Sequence, residues 1–271
     1  MATSNAAGCG STWSRGQPVA EASLPERLAA VQERIQSAQQ RLGLAPEAVG
    51  LVAVSKTHPA SSVCEALATG QADFGENYVQ EGVQKVAAVR HDARQGQPRW
   101  HFIGPLQSNK TRDVAAHFDW VHTVDRIKIA QRLADQRPDG MAPLQLCLQV
   151  NIGDEASKSG VPEAEAVATF TAIAALAQAQ PSRIQLRGLM AIPAPGAGLQ
   201  AFDRLLELLK ACSDGVDANT RAAMGRPVAS MGMSDDWEAA LEAQAKAARA
   251  GFETQVWLRI GTAIFGARPS P

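Results

Sequence analysis

The chain has 271 residues, one large domain or two small ones at roughly 100–200 residues each, although α/β barrels reach about 250 as a single unit. Hydrophobic residues make up 45% and charged residues 20%, enough to bury a core and too apolar for wholesale disorder. Lys and Arg number 26 against 27 Asp and Glu, which argues against nucleic acid or a polybasic membrane anchor as partner, and no apolar run approaches the ~20 residues of a membrane span.

Residues 1–22 are rich in Ser, Gly and Ala and lack the apolar stretch of a targeting signal, so they read as a flexible tail. Residues 23–271 read as one domain. Cys9, Cys64, Cys147 and Cys212 are widely spaced, which argues against a disulfide framework and for a reducing, cytoplasmic setting. Leu24 to Leu42 forms an opening helix with Leu28, Val31, Ile35 and Leu42 on one face. The first strand is Gly50 to Ser55, followed by a helix from Pro59 to Thr69. Strands at Ala72 to Gly75, Trp100 to Gly104 and Trp120 to Thr123 alternate with helices at Tyr78 to Val89, Ser108 to His117 and Asp125 to Gln136. The pattern continues with strands at Leu144 to Ile152, Ile184 to Ile192, Val228 to Gly232 and Thr254 to Ile260. Helices at Glu163 to Ala179, Gly198 to Cys212 and Asp235 to Ala250 separate them. Strict alternation implies a parallel sheet with right-handed crossovers. Eight such strands predict a closed (β/α)₈ barrel, a TIM-type fold, with an extra N-terminal helix.

A barrel of this kind carries its site at the C-terminal ends of the strands. The first strand ends Ser55-Lys56-Thr57-His58. Lys56 shares the parity of Val52 and Val54, so it points to the barrel mouth if they point inward. There its amine is either partly desolvated and available for Schiff-base formation or extended to solvent. The seventh and eighth strands end in Ser230 to Asp236 and Arg259 to Gly266, each combining glycine with a hydroxyl. Glycine lets backbone N–H groups approach an anion, and Ser234 stands where a helix starts. Ser234 is equally readable as a plain N-cap, and Asp235 with Glu238 as a capping box. Taken with the first-strand lysine, the two loops favour a phosphorylated carbonyl ligand. Arg259 can only donate hydrogen bonds. It either faces a ring nitrogen or pairs with a strand-end carboxylate. Glu76 and Asn77, at the end of the second strand, are placed either to line the mouth or to cap the helix that follows, Tyr78 to pack at a helix start, and His101 to sit satisfied in the core. The histidine spacing fits no metal motif.

These residues fall in longer matching segments: Ala53 to Thr57, Phe74 to Glu81, Trp100 to Lys110, His122 to Asp125, Gln149 to Ile152, Ser157 to Gly160, Arg187 to Pro193, Met231 to Asp236 and Arg259 to Gly266. Through them the chain resembles the pyridoxal phosphate homeostasis proteins, stand-alone barrels related to the N-terminal domain of alanine racemase. The resemblance implies a pyridoxal 5′-phosphate-binding protein that buffers or supplies the cofactor without substantial turnover. It implies that Lys56 carries the cofactor as a Schiff base, that Met233, Ser234, Gly261 and Thr262 contact its phosphate, that Arg259 faces the pyridine nitrogen, and that Asn77 lies near it. It implies apo-forms of pyridoxal phosphate enzymes as recipients, and a monomer. The family's second lysine, two positions after the first, is His58 here, and Lys158 is a further amine within a matching segment. An amino-acid racemase is the competing reading, but its opposing base comes from a second domain for which the chain leaves no room. A Schiff-base aldolase acting directly on a sugar phosphate is the third.

Overall fold

The structure, a computed structural model, describes residues 22–91, 97–153 and 159–267; Lys158 and the tail before residue 22 lie outside them. Helix α1 (Leu24–Leu42) begins with a reciprocal box: Glu26 N–H donates to Ser23 Oγ, and Ser23 N–H donates to the Glu26 carboxylate. Gly43 closes it with φ 69°, a left-handed angle that glycine takes without a Cβ penalty. The strands are β1 (Val49–Val54), β2 (Asp73–Glu76), β3 (Arg99–Phe102), β4 (Trp120–Val124), β5 (Leu144–Asn151), β6 (Val161–Pro162), β7 (Ile184–Met190), β8 (Val228–Ser230) and β9 (Gln255–Ile260). The remaining helices are α2 (Ala60–Ala68), α3 (Val79–His91), α4 (Thr111–His117), α5 (Ile127–Gln136), α6 (Glu163–Ala179), α7 (Gly198–Asp214), α8 (Ala218–Met224), α9 (Trp237–Arg249) and α10 (Thr262–Phe265).

All strand pairs are parallel, in the order β4-β3-β2-β1-β9-β8-β7-β5, and a β4–β5 pairing closes the ring. The expected eight-stranded barrel is therefore present. Strand β6 is no stave: it pairs only with the end of β5, Val150 against Val161. Each stave buries both faces, which is why none reads as apolar-polar alternation. The outer faces pack against the helices through Phe74, Trp100, Phe102 and Leu146 among others. Full burial of such a side chain contributes roughly 1.5–3 kcal/mol. The inner faces form a separate cluster of Val52, Val54, Ile103, Trp120, Cys147, Met190, Val228 and Trp257. Gly50 makes room for that filling: a Cβ there would lie 2.4 Å from the Trp257 ring.

Two short helices were not anticipated. Helix α8 spans Ala218–Met224 and is nucleated by Asp217, whose carboxylate accepts from Asn219 and Thr220 N–H; its seven residues carry too few apolar positions for a period. Helix α10 has only four residues and follows β9 directly. Among the described residues, no helix is long and apolar enough to cross a membrane. No group of three or more His, Cys, Asp or Glu there is arranged to hold a metal ion.

Candidate functional site

Val52 and Val54 belong to the inner cluster, so Lys56 continues their column to the mouth, where it is half-buried. The backbone on both sides of it is pinned. Ser55 N–H donates to Gly75 O at 3.0 Å, and Ser55 O accepts from Lys85 Nζ at 2.8 Å and His58 N–H at 3.0 Å. Thr57 N–H donates to the Glu81 carboxylate. Among the described residues Thr57 is the one non-glycine with positive φ, at 67°, an outlying conformation for a β-branched residue that needs such support. Lys85 itself is buried and bonds Glu76 Oε1 at 2.6 Å and Glu81 Oε1 at 3.0 Å. His58 stacks on Phe265 with ring centroids 5.3 Å apart, tying the Lys56 loop to α10.

Glu76 does not line the mouth. It is fully buried behind the loop, where its Oε1 also accepts from Ser55 Oγ at 2.6 Å. The parity of β2 explains this: Phe74 and Glu76 face outward, while Asp73 and Gly75 face inward. Burial pushes the Glu76 carboxyl above the usual carboxylate range, even against the nearby Lys85 ammonium. Asn77 takes the inward parity, and its Oδ1 is a buried acceptor without a partner among the described residues. Tyr78, expected to pack, is 57% exposed at the rim.

Arg259 faces the interior beside β1, paired in register with Val52. It is buried, and its partners are neutral: Nη1 donates to Ser230 Oγ at 2.6 Å and Nη2 to Ala191 O at 3.0 Å. Among the described residues it makes no ion pair, so the carboxylate-paired reading does not hold. Burial lowers its pKa to about 10, against the pull of the Asp236 carboxylate; the guanidinium stays charged at neutral pH. Ser230 Oγ lies 2.6 Å from His122 Nδ1, His122 Nε2 lies 2.9 Å from His101 Nδ1, and His101 Nε2 lies 2.9 Å from Asp73 Oδ1. His101 is thus the satisfied core histidine expected of it. Arg99 holds Asp73 with two bonds of 2.6 Å.

The two glycine loops converge on the same mouth. Ser234 sits in the turn before α9, not at its N-cap, which is Asp236, and no capping box of Asp235 and Glu238 forms. Met233 N–H donates to Asp236 Oδ1 at 2.6 Å, so an anion at this amide must displace that carboxylate. Gly261 precedes α10 and lies against β1: a Cβ there would sit 3.1 Å from Val54 O. Thr262 is exposed at the first position of α10, where N–H groups have no helical acceptor. A cleft of about 520 Å³ opens beside Met233 and Ser234, walled by Pro193, Leu199 and Asp236.

The structure thus brings Lys56, Asn77, Arg259, Gly261 and Thr262 to one end of the barrel, with Met233 and Ser234 on the adjoining loop. Sequence reasoning missed Lys85, Glu81, His122 and Ser230. Their signal was present for two of them: His122 and Ser230 are polar residues two positions after the inward-facing Trp120 and Val228.

The family described as "Alanine racemase, N-terminal domain" matches residues 27–269. The chain is 50% identical over 222 residues to the pyridoxal phosphate homeostasis protein of Pseudomonas aeruginosa, covering 80% of this chain and 84% of that one. The solved structure of PipY from Synechococcus elongatus with PLP bound is 33% identical, covers 90% of this chain and all of that one, and superposes with a TM-score of 0.68. An alanine racemase of Clostridium difficile, 14% identical, has a TM-score of 0.57 over 88% of this chain and 57% of that one, a likeness of fold.

Proposed function

Because the chain belongs to the pyridoxal phosphate homeostasis protein family, we propose that it binds pyridoxal 5′-phosphate covalently through Lys56 and holds it for intracellular supply or buffering. The observation that carries this reading is the adjacency of two inward columns. Lys56 tops that of β1, and Arg259 stands in that of β9 beside Val52. Three further features fit the cofactor. Arg259 is a buried cation that makes no ion pair among the described residues. Asn77 Oδ1 is a buried acceptor with an unused lone pair. Gly261 lies so close to β1 that a Cβ there would sit 3.1 Å from Val54 O, which keeps the backbone at this point bare.

When bound, the cofactor supplies an aldehyde that condenses reversibly with primary amines. Lys56 provides the amine. Arg259 can only donate, so it stabilises an unprotonated ring nitrogen, and the ring remains a weak electron sink. That suits holding and release over turnover. Ser234 and Thr262 hydroxyls and the Met233 and Gly261 N–H groups take the phosphate, the Met233 amide once Asp236 gives way. The reading places all binding in the barrel, residues 23–271, acting as a monomer in the cytoplasm, with apo-forms of pyridoxal phosphate enzymes as recipients.

Borohydride reduction followed by peptide mass spectrometry tests the assignment. A pyridoxyl group is expected on Lys56 and is expected to be absent from Lys56→Ala; its location on another lysine with Lys56 unmodified refutes the reading. Incubation of the loaded protein with L-amino acids in deuterated water should give no deuterium at Cα beyond one equivalent. Multiple turnovers would favour a racemase-like enzyme instead.

A further inference from the structure

A continuous hydrogen-bonded chain crosses the barrel interior. It begins at Asp73 and Arg99, the first residues of β2 and β3, and ends at Ser230 and Arg259 near the C-terminal ends of β8 and β9. Its links are Asp73–His101, His101–His122, His122–Ser230 and Ser230–Arg259, at 2.9, 2.9, 2.6 and 2.6 Å. His101, His122 and Ser230 are wholly excluded from solvent.

The two ends decide every hydrogen in between. Arginine has no acceptor, so Arg259 donates to Ser230 Oγ. Asp73 is held as a carboxylate: burial pushes its pKa up, but hydrogen bonds from Arg99 and His101 outweigh this and keep it below the usual range. It therefore accepts from His101 Nε2–H. Burial keeps both imidazoles neutral, lowering His101 against the pull of Asp73 and His122 still further. A neutral His101 with hydrogen on Nε2 has a bare Nδ1, which accepts from His122 Nε2–H. His122 Nδ1 is then bare and accepts from the Ser230 hydroxyl. With both imidazoles neutral this is the one arrangement that satisfies all four links. An added proton would place N–H on His122 Nδ1 against Ser230 Oγ, already an acceptor from Arg259, and displace the buried hydroxyl hydrogen from its partner.

Among the described residues, Ser230 Oγ is one of two acceptors tethering the Arg259 guanidinium, the other being Ala191 O. The oxygen keeps its lone pair aimed at Nη1 only while its hydrogen is committed to His122. Resting on the cofactor reading above, we propose that Ser230, His122, His101 and Asp73 are positioning residues: they form a one-way relay that fixes Arg259 as the donor to the ring nitrogen of pyridoxal 5′-phosphate. Asp73 and Arg99, at the far end of the barrel, set its direction.

Two measurements test this. In ligand-free wild-type protein, ¹⁵N NMR of the imidazoles at neutral pH should show His101 and His122 both neutral with hydrogen on Nε2. A hydrogen on Nδ1 of either ring, or an imidazolium, would overturn the relay; no variant is needed. Second, Ser230→Ala should weaken pyridoxal 5′-phosphate by roughly tenfold or more. It should leave within about twofold the affinity for the analogue whose ring nitrogen is replaced by C–H. Equal losses for both ligands would mean a merely structural role, and no loss for either would mean none. Wild-type protein that binds neither ligand would overturn the cofactor reading and the relay's role with it, whatever tautomers the rings hold.

Discussion

Thr262 illustrates how little of a binding residue's role shows in its packing. It is exposed and opens a helix of four residues, so its hydroxyl contributes almost nothing to the fold. Thr262→Val preserves shape and removes only that hydroxyl. A hydrogen bond to a charged group contributes about 1.5–3 kcal/mol, or roughly ten- to a hundred-fold in affinity. Absorbance titration should therefore show Thr262→Val weakening pyridoxal 5′-phosphate by that factor, with unphosphorylated pyridoxal nearly unchanged. Equal weakening of the two ligands would remove Thr262 from the phosphate site. Met233 makes the opposite point. Its N–H is already bonded to Asp236, and burial raises the Asp236 carboxyl above its ordinary value. That carboxylate occupies the position an anion would take.

Strand β1, strand β2 and helix α3 are joined to the Lys56 loop by one buried ammonium. Lys85 reaches from α3 to Ser55 O on the β1 side and to Glu76 on β2. Removing one partner of such a pair leaves the other uncompensated and typically costs about 3–5 kcal/mol. Urea unfolding of Lys85→Met should show a loss of that order. The double variant Lys85→Met with Glu76→Gln should recover part of it, because the orphaned carboxylate is gone. A single variant as stable as wild type would show that Lys85 does not clamp the loop.

The barrel as a whole should be acid-sensitive through its interior. Folding holds His101 and His122 neutral by burial, lowered from 6.5. Below pH about 6.5 the unfolded chain takes up protons on both while the folded one does not. The unfolded state then binds more protons, so stability falls as pH drops between 6.5 and the lowered folded values. The slope is up to about 1.4 kcal/mol per pH unit for each ring. Asp73, whose carboxyl is lowered, acts in a different window. Its contribution is complete above the unfolded value of about 3.9 and is lost only as pH falls further. Urea unfolding at pH 7.5 and 5.5 should therefore differ by up to about 3 kcal/mol. Equal stability at the two values would contradict neutral imidazoles in the core.

The alternation of strands and helices was legible in the sequence because each element is governed by local chemistry. Apolar spacing defines α1, and short runs dense in Val, Ile and Leu define the staves. Parity alone carried Lys56 to the mouth, since Val52 and Val54 precede it in one column. The specific segments around Lys56, Arg259 and Thr262 pointed to the family. Tertiary structure decided what depends on residues far apart in sequence. It turned Glu76 away from the mouth to meet Lys85 and engaged Met233 N–H with Asp236. It joined Asp73, His101, His122, Ser230 and Arg259 across 186 positions of chain into one line of hydrogen bonds. No local period announces such a line, because its members come from five strands or strand ends that become neighbours only when the sheet closes on itself.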